Sequence, residues 1–140
     1  MANPGPASTT TNHPSNLASN QALRLLASAQ GVNLNQVGDT PAVVVSDSGS
    51  YSVQTIIVTN ASVNLTTAQL AVYTGPAATG TAIKSAAALT SNSTAAKVNL
   101  LSATSTDVVS GTPLYIRCTT AQGAAATADV FIYGYDLTFL

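Results

Sequence analysis

The 140-residue sequence predicts an all-β protein, a jelly-roll-like β-sandwich of about eight strands with an N-terminal arm and one short helix. Short runs rich in β-branched residues alternate apolar with small or polar side chains, which is the two-residue period of a half-buried strand. Clusters of Gly, Pro, Asn, Asp and Ser separate these runs. Eight strands of this kind fit two packed sheets, as in a jelly roll.

The N-terminal segments differ from the strands. Residues 1–16 are polar, contain three prolines and show no apolar period, which predicts a flexible arm. Residues 17–140 are then one sandwich domain, a length that can bury a core. Within it, residues 20–30 predict a short helix with Asn20 as the N-cap and Gly31 in the C′ position. An extended arm is the alternative for this helical segment.

The predicted strands follow in order along the chain. They cover residues 34–37, 42–45, 51–59, 69–74, 81–86, 97–101, 113–119 and 129–135. Gly38-Asp39 and Asp47-Ser48-Gly49 indicate turns between strands. The alanine triplets at 86–88 and 124–126 lack large apolar residues at helical spacing, so we expect loops or a small-residue contact surface there.

A four-residue motif, TTAQ, occurs at residues 66–69 and again at 119–122. Each copy follows an apolar strand and precedes a strand that ends near a tyrosine. Two similar hairpins in the two halves of the chain would explain the repetition. Chance in a chain rich in Thr and Ala is the alternative.

Charged residues are scarce, and this scarcity bounds the function. They make up 6% of the chain, with no Glu, against roughly 25% in an ordinary soluble domain. A surface with so little like-charge repulsion favours a protein that packs against neighbours over a neutral secreted module. The four bases are scattered, so we expect no nucleic-acid partner. We expect no membrane span and no signal peptide, and therefore synthesis in a cytoplasm.

We expect no catalytic, cofactor-binding or metal site. His13, the only histidine, lies in the polar arm, where no fixed neighbour could make it an effective base. Asp39 and Asp47 lie in predicted turns, and Asp129 and Asp136 flank the last strand. One Cys and one His cannot form a zinc site, whereas a calcium site formed by Asp residues from several loops remains open.

The single cysteine, Cys118, cannot form an internal disulfide bond. It alternates with Leu114 and Ile116 along one predicted strand. The spacing therefore predicts a buried thiol on the apolar face of that strand, rather than a reactive one.

Aromatic and terminal apolar residues are the candidates for an interface. Tyr115 and Arg117 share one strand face, and the aromatic residues of the last strand share another. Inter-subunit contact, ordinary sheet packing and stacking against a glycan are all open to such side chains. The candidate interface residues are Tyr115, Arg117, Phe131, Tyr133, Tyr135, Phe139 and Leu140.

Several short runs resemble a recurring segment in structural proteins of tailed bacteriophages. They are IVTNAS at 57–62, LTTA at 65–68, YT at 73–74, GTAI at 80–83, LYI at 114–116 and TTAQGAAATADV at 119–130. Over residues 32–135 the chain resembles the capsid cement, or decoration, proteins of short-tailed Bordetella bacteriophages. These motifs are compositional and lie in predicted strands and turns, so the resemblance transfers no functional residue.

The resemblance implies a jelly-roll module on the outer surface of an icosahedral shell. Such a module would be a non-catalytic part of the virion, made in the cytoplasm of the host bacterium. It would bridge subunits of the major capsid protein, so that the shell resists the pressure of the packaged DNA. We expect a homodimer, because two-fold contacts are the commonest kind. A tail or fibre component that binds a host glycan is the alternative.

Overall fold

Ten strands form the part of the chain that the computed structural model describes, namely residues 23–44, 49–95, 98–111 and 113–137. They are β1 (Arg24–Asn33), β2 (Gly38–Pro41), β3 (Val43–Val44), β4 (Ser50–Thr59), β5 (Gln69–Tyr73), β6 (Ala82–Ala88), β7 (Val98–Ser102), β8 (Val109–Ser110), β9 (Tyr115–Thr120) and β10 (Thr127–Asp136). The one helical element among these residues is a single 3-10 turn, Pro76–Ala78. None of them belongs to a helix long and apolar enough to cross a membrane.

The strands form two antiparallel sheets, which confirms the predicted all-β class. The six-stranded sheet has the order β3-β1-β10-β4-β7, and β8 pairs with β4 on the side where β7 also pairs. The four-stranded sheet has the order β2-β9-β5-β6. The longest strands, β1, β4 and β10, are neighbours in the six-stranded sheet, so this sheet presents the larger outer face.

The strand pairs are nested along the chain. β1 pairs with β10, β2 with β9, β4 with β7 and β5 with β6. Each outer pair in the sequence encloses the next, and successive pairs alternate between the six-stranded and the four-stranded sheet. This is the pattern of one long two-stranded ribbon folded over on itself, and it is compatible with the predicted jelly roll. The jelly roll itself stays a prediction.

The core lies between the two sheets and consists of the residues that point inward from the strands of both sheets. Ile56 of the six-stranded sheet and Leu70 of the four-stranded sheet are completely buried in one shared apolar cluster. Leu114, Ile116 and Cys118 belong to the same cluster, which confirms that the cysteine lies on the apolar face. β10 buries every second residue from Ala128 to Asp136, and the residues between them are half-buried, so the other face of this strand remains available for contact.

The predicted helix at 20–30 is wrong for the residues that can be compared, because β1 begins at Arg24. Long-range pairing with β10 outweighs the helix propensity of this segment, since it buries Leu26 and Ala29 under the opposite sheet. The apolar spacing does not alternate regularly, and two register shifts absorb the irregularity. Gly31 adopts a φ of +64° within the second shift rather than at the end of a helix.

Other local predictions also need correction. Residues 35–37 form a bend after the buried Leu34, so the strand predicted at 34–37 is wrong. The turn predicted at 38–39 is the start of β2, and the alanines at 86–88 belong to β6, because pairing with a neighbouring strand overrides weak local preferences. Asp129 and Asp136 lie within β10 rather than flanking it.

The remaining strand predictions are confirmed to within a few residues, and 124–126 is a loop, as expected. The arm at 1–16, with His13, lies outside the described residues, and so does Asp47. The division between an arm at 1–16 and a domain at 17–140 stays a prediction.

The two TTAQ copies contact each other. Oε1 of Gln122 accepts hydrogen bonds from the backbone amides of Thr66, Thr67 and Ala68 at 3.0–3.2 Å, and Nε2 donates to Oγ1 of Thr66 at 3.0 Å. The hydroxyl of Thr67 donates to the carbonyl of Gln122 at 3.0 Å. Because β9 and β10 belong to different sheets, the second copy does not begin a hairpin. The motif instead ties the start of β5 to the end of β9.

Candidate protein-binding surface

An apolar row crosses the outer face of the six-stranded sheet. Residues paired across its five successive strands lie side by side, and we call this set the apolar row: Val43, Ser28, Phe131, Ile57 and Leu100. Four of its five members are large apolar residues, and one serine interrupts them. With a strand spacing of about 4.8 Å, the row is about 19 Å long.

The ends of the apolar row are open to solvent and its centre is half-buried. Val43 is 65% exposed and Leu100 is 66% exposed, whereas Phe131 and Ile57 are intermediate. Val98, 58% exposed, adds apolar area beside Leu100 on β7. Exposed large apolar residues that adjoin one another indicate a contact surface more strongly than the same residues scattered singly.

Strand alternation explains why these side chains face outward. The residues on either side of Ile57, which are Ile56 and Val58, are completely buried, and so are Val130 and Ile132 on either side of Phe131. The core therefore fixes the register of both central strands, because a slip by one residue would turn the core face out. The outward apolar residues are not needed to fill the core.

Among the described residues of the six strands, charged side chains lie only near the two ends of the sheet. At one end Arg24 Nη1 lies 3.2 Å from Asp136 Oδ2. At the other end, the Asp129 carboxylate accepts hydrogen bonds from the Gly31 amide at 2.8 Å and from Asn60 Nδ2 at 3.0 Å. Between these ends, the described residues of the six strands include no charged side chain. A partner could therefore cover the centre of the face without desolvating an ion.

The structure divides the predicted interface residues between opposite faces. Phe131, Tyr133 and Tyr135 are outward on β10, beside or within the apolar row, whereas Tyr115 and Arg117 lie on the outer face of the four-stranded sheet. Phe139 and Leu140 lie outside the described residues. The seven candidates thus do not form a single patch, and their interface role stays a prediction.

The outer face of the four-stranded sheet is more polar. Arg117 Nη1 donates to Asp39 Oδ1 at 2.8 Å, and the Ala77 amide donates to Asp39 Oδ2 at 2.6 Å. Burial raises the pKa of Asp39, but the Ala77 hydrogen bond and the Arg117 guanidinium outweigh it and hold that pKa below its ordinary 3.8. Tyr115 lies opposite Tyr73 on the neighbouring strand. This face combines aromatic rings with hydrogen-bonding groups.

Nothing in the geometry of the described residues assembles a reactive group. Burial raises the pKa of the Cys118 thiol above its ordinary 9.0, and Sγ lies 3.3 Å from the carbonyl oxygen of Thr120. A thiol of this kind is a poor nucleophile. Within the ranges that the structure covers, no group of three His, Cys, Asp or Glu residues could hold a metal ion.

Sequence reasoning missed most of the apolar row. Ile57 and Leu100 each stand beside another large apolar residue, Ile56 and Leu101, so alternation alone does not show which of the two faces outward. Val43 belongs to a two-residue strand too short to show a period. The pairing of all five strands, which only the fold provides, brings these residues into line.

No protein-family model, no curated protein and no solved structure matches this chain.

Proposed function

We propose that this protein is a non-catalytic structural component of a bacteriophage virion, which binds the outer surface of the capsid and bridges subunits of the major capsid protein. The observation that carries the proposal is the apolar row, an uncharged strip on the larger face of the sandwich. The resemblance of residues 32–135 to phage capsid cement proteins supplies the identity of the shell. The nested strand pairs support the jelly roll that this resemblance implies.

A cement protein acts through area of contact, and the apolar row supplies area of the right kind. Fully burying a Val or Leu side chain contributes about 1.5–3 kcal/mol, so covering the exposed parts of Val43 and Leu100 contributes about 1–2 kcal/mol each. The five strands give the strip a width that can touch two neighbouring subunits. We infer that bridging arises because the strip lies across the boundary between two subunits.

Val43→Asp tests this proposal, with Val37→Asp as the matched control. Val43 is 65% exposed on the apolar row, and Val37 is 55% exposed in the connection between β1 and β2. A short, unpaired carboxylate in a dry contact costs several kcal/mol. We therefore expect Val43→Asp to weaken binding at least about 100-fold, which is about 2.7 kcal/mol, and Val37→Asp to change it little.

The assay is co-sedimentation with assembled shells of a short-tailed Bordetella phage from which the native cement protein has been removed. Binding of the unaltered protein should change little between about 50 mM and 500 mM salt, because few ion pairs are available for screening. Equal loss of binding in both variants would contradict the assignment of the face. Absence of binding by the unaltered protein would contradict the function itself.

Glycan binding, the alternative function, would use the opposite side of the molecule. Tyr73 and Tyr115 lie opposite each other on neighbouring strands of the four-stranded sheet, near the Arg117–Asp39 pair. Paired rings with adjacent hydrogen-bonding groups suit a sugar ring. Binding to host-cell polysaccharide that Tyr115→Ala abolishes and Val43→Asp leaves intact would favour this alternative.

A further inference from the structure

Strand β7 ends one side of the six-stranded sheet with an unpaired edge among the described residues. The Ala103 amide donates to the Gln54 carbonyl of β4 at 3.0 Å. Because antiparallel hydrogen bonds alternate along a strand, the backbone groups of Leu101 and Asn99 also point toward β4. Those of Val98, Leu100 and Ser102 point away from it, toward the position of a next strand.

This edge lacks the devices that usually protect an exposed edge strand. Natural proteins block such edges with charged residues, proline or a bulge. β7 contains no charge and no proline, and its register with β4 is unbroken. Val98 and Leu100 instead expose more than half of their apolar side chains beside the free backbone groups. Lys97, which directly precedes the strand, lies outside the described residues.

We propose that β7 pairs with β7 of a second copy of this chain, antiparallel and about a two-fold axis at Leu100. In this register Leu100 faces Leu100 of the second copy, Val98 faces Ser102, and Asn99 faces Leu101. The outward backbone groups of three residue pairs are then satisfied by about six hydrogen bonds. No charged residue of β7 opposes another, and the same patch serves both copies, as an isologous contact requires.

The two-fold axis also joins the two apolar rows. An axis between antiparallel strands runs perpendicular to the sheet, so both outer faces point to the same side. Ile57 and Leu100 of one copy continue directly into Leu100 and Ile57 of the other. The result is one twelve-stranded surface whose central row is apolar across both copies. This continuity favours a second copy as the occupant over an unrelated strand.

Dimerisation through β7 does not depend on the proposed function. Only the role of the joined face in capsid binding rests on that function. Pairing through five residues buries less than the roughly 800 Å² per partner of a standard stable interface. We therefore expect association in the micromolar range, which is strengthened when a shell holds both copies. Sedimentation equilibrium of the full chain from about 1 µM to 1 mM measures it.

Leu100→Asp is the variant that tests the two-fold axis, and Val43→Asp is its control at the other end of the apolar row. Two carboxylates facing each other at the axis should raise the dimer dissociation constant at least about tenfold. Val43→Asp, equally exposed but remote from β7, should leave the constant unchanged. Mixing Leu100→Asp with Leu100→Lys should restore a mixed dimer, because opposite charges then face each other, and this recovery excludes misfolding as the cause.

A chain that stays monomeric over the whole concentration range overturns the inference, whether the edge is covered by the chain's own terminal residues or reserved for another protein. Equal effects of Leu100→Asp and Val43→Asp overturn it as well, and so does a failure of the mixed variants to associate. Shell binding by a monomer would remove this inference and leave the proposed function standing. Dimerisation without shell binding would do the reverse.

Discussion

Replacing Gln122 with alanine should loosen the contact between the two TTAQ copies. The side-chain oxygen of Gln122 accepts three backbone amides, and its nitrogen donates to the Thr66 hydroxyl. One side chain thus satisfies the turn that leads into β5 and fixes that turn against the end of β9. Gln69, in the same position of the first copy, lies within β5 and makes no comparable set of contacts.

The magnitude follows from these four hydrogen bonds, because the fifth, which Nε2 donates to the Asn64 carbonyl, is long at 3.4 Å. Each is worth about 0.5–1 kcal/mol net, toward the lower part of the usual range, because the groups are partly exposed and water can replace the lost partner. Releasing the glutamine side chain returns about 1.5 kcal/mol of conformational entropy. We therefore expect Gln122→Ala to lower the free energy of unfolding by about 1–2 kcal/mol, which corresponds to a fall in Tm of about 3–10 °C.

Urea unfolding at pH 7 measures this change, with Gln69→Ala as the matched control. The control should lie within about 0.5 kcal/mol of the unaltered protein. Gln122→Glu provides a second comparison, because it keeps the acceptor for the three amides and loses only the donor, so it should retain most of the stability. Equal losses in Gln122→Ala and Gln69→Ala, or no loss in either, would refute the account of the motif.

Two further predictions concern the two sheets. A Cβ on Gly134 would overlap the carbonyl oxygen of Ser52, whereas one on Gly38 would meet nothing within 4 Å. Thermal unfolding should therefore show that Gly134→Ala lowers the free energy of unfolding by about 1–3 kcal/mol or more. Gly38→Ala should leave it almost unchanged. The pKa of Asp39 is lowered in the folded state, so its contribution to stability is present above pH 3.8 and is lost as the pH falls through the folded pKa. Acid titration of the unfolding free energy should therefore show a smaller decline in Asp39→Asn, and an unchanged decline would contradict the role of the Arg117 pair.

The parts of the fold that were predictable are those in which local pattern and tertiary pairing agree. Residues 113–119 and 129–135 alternate clearly along the sequence, and they form β9 and β10, two central strands that each bury one face in the core. The helix predicted at 20–30 was wrong because helix propensity is worth only tenths of a kcal/mol per residue. Pairing with β10 instead buries a whole face of the strand. The short strands β2 and β3 have too few residues to show a period. The apolar row could not be predicted for a further reason, since it is assembled from five strands that are distant in the sequence.

The use of charge in this chain links its stability to its proposed role. Arg24 pairs with Asp136 and Arg117 with Asp39, so these ions hold strands in place rather than meet a partner. Asp129 likewise accepts a hydrogen bond from the Gly31 amide at the register shift between β1 and β10. Charged residues on a binding face keep it soluble and attract an oppositely charged partner in a salt-dependent way. The centre of the apolar row has no charged residue and therefore provides neither effect. In the proposed function, the uncharged row would gain affinity by burying apolar area. Such weak contacts suit a repeating surface that presents the same site many times. A capsid is such a surface, so the neutrality of the apolar row is what the proposed function leads us to expect.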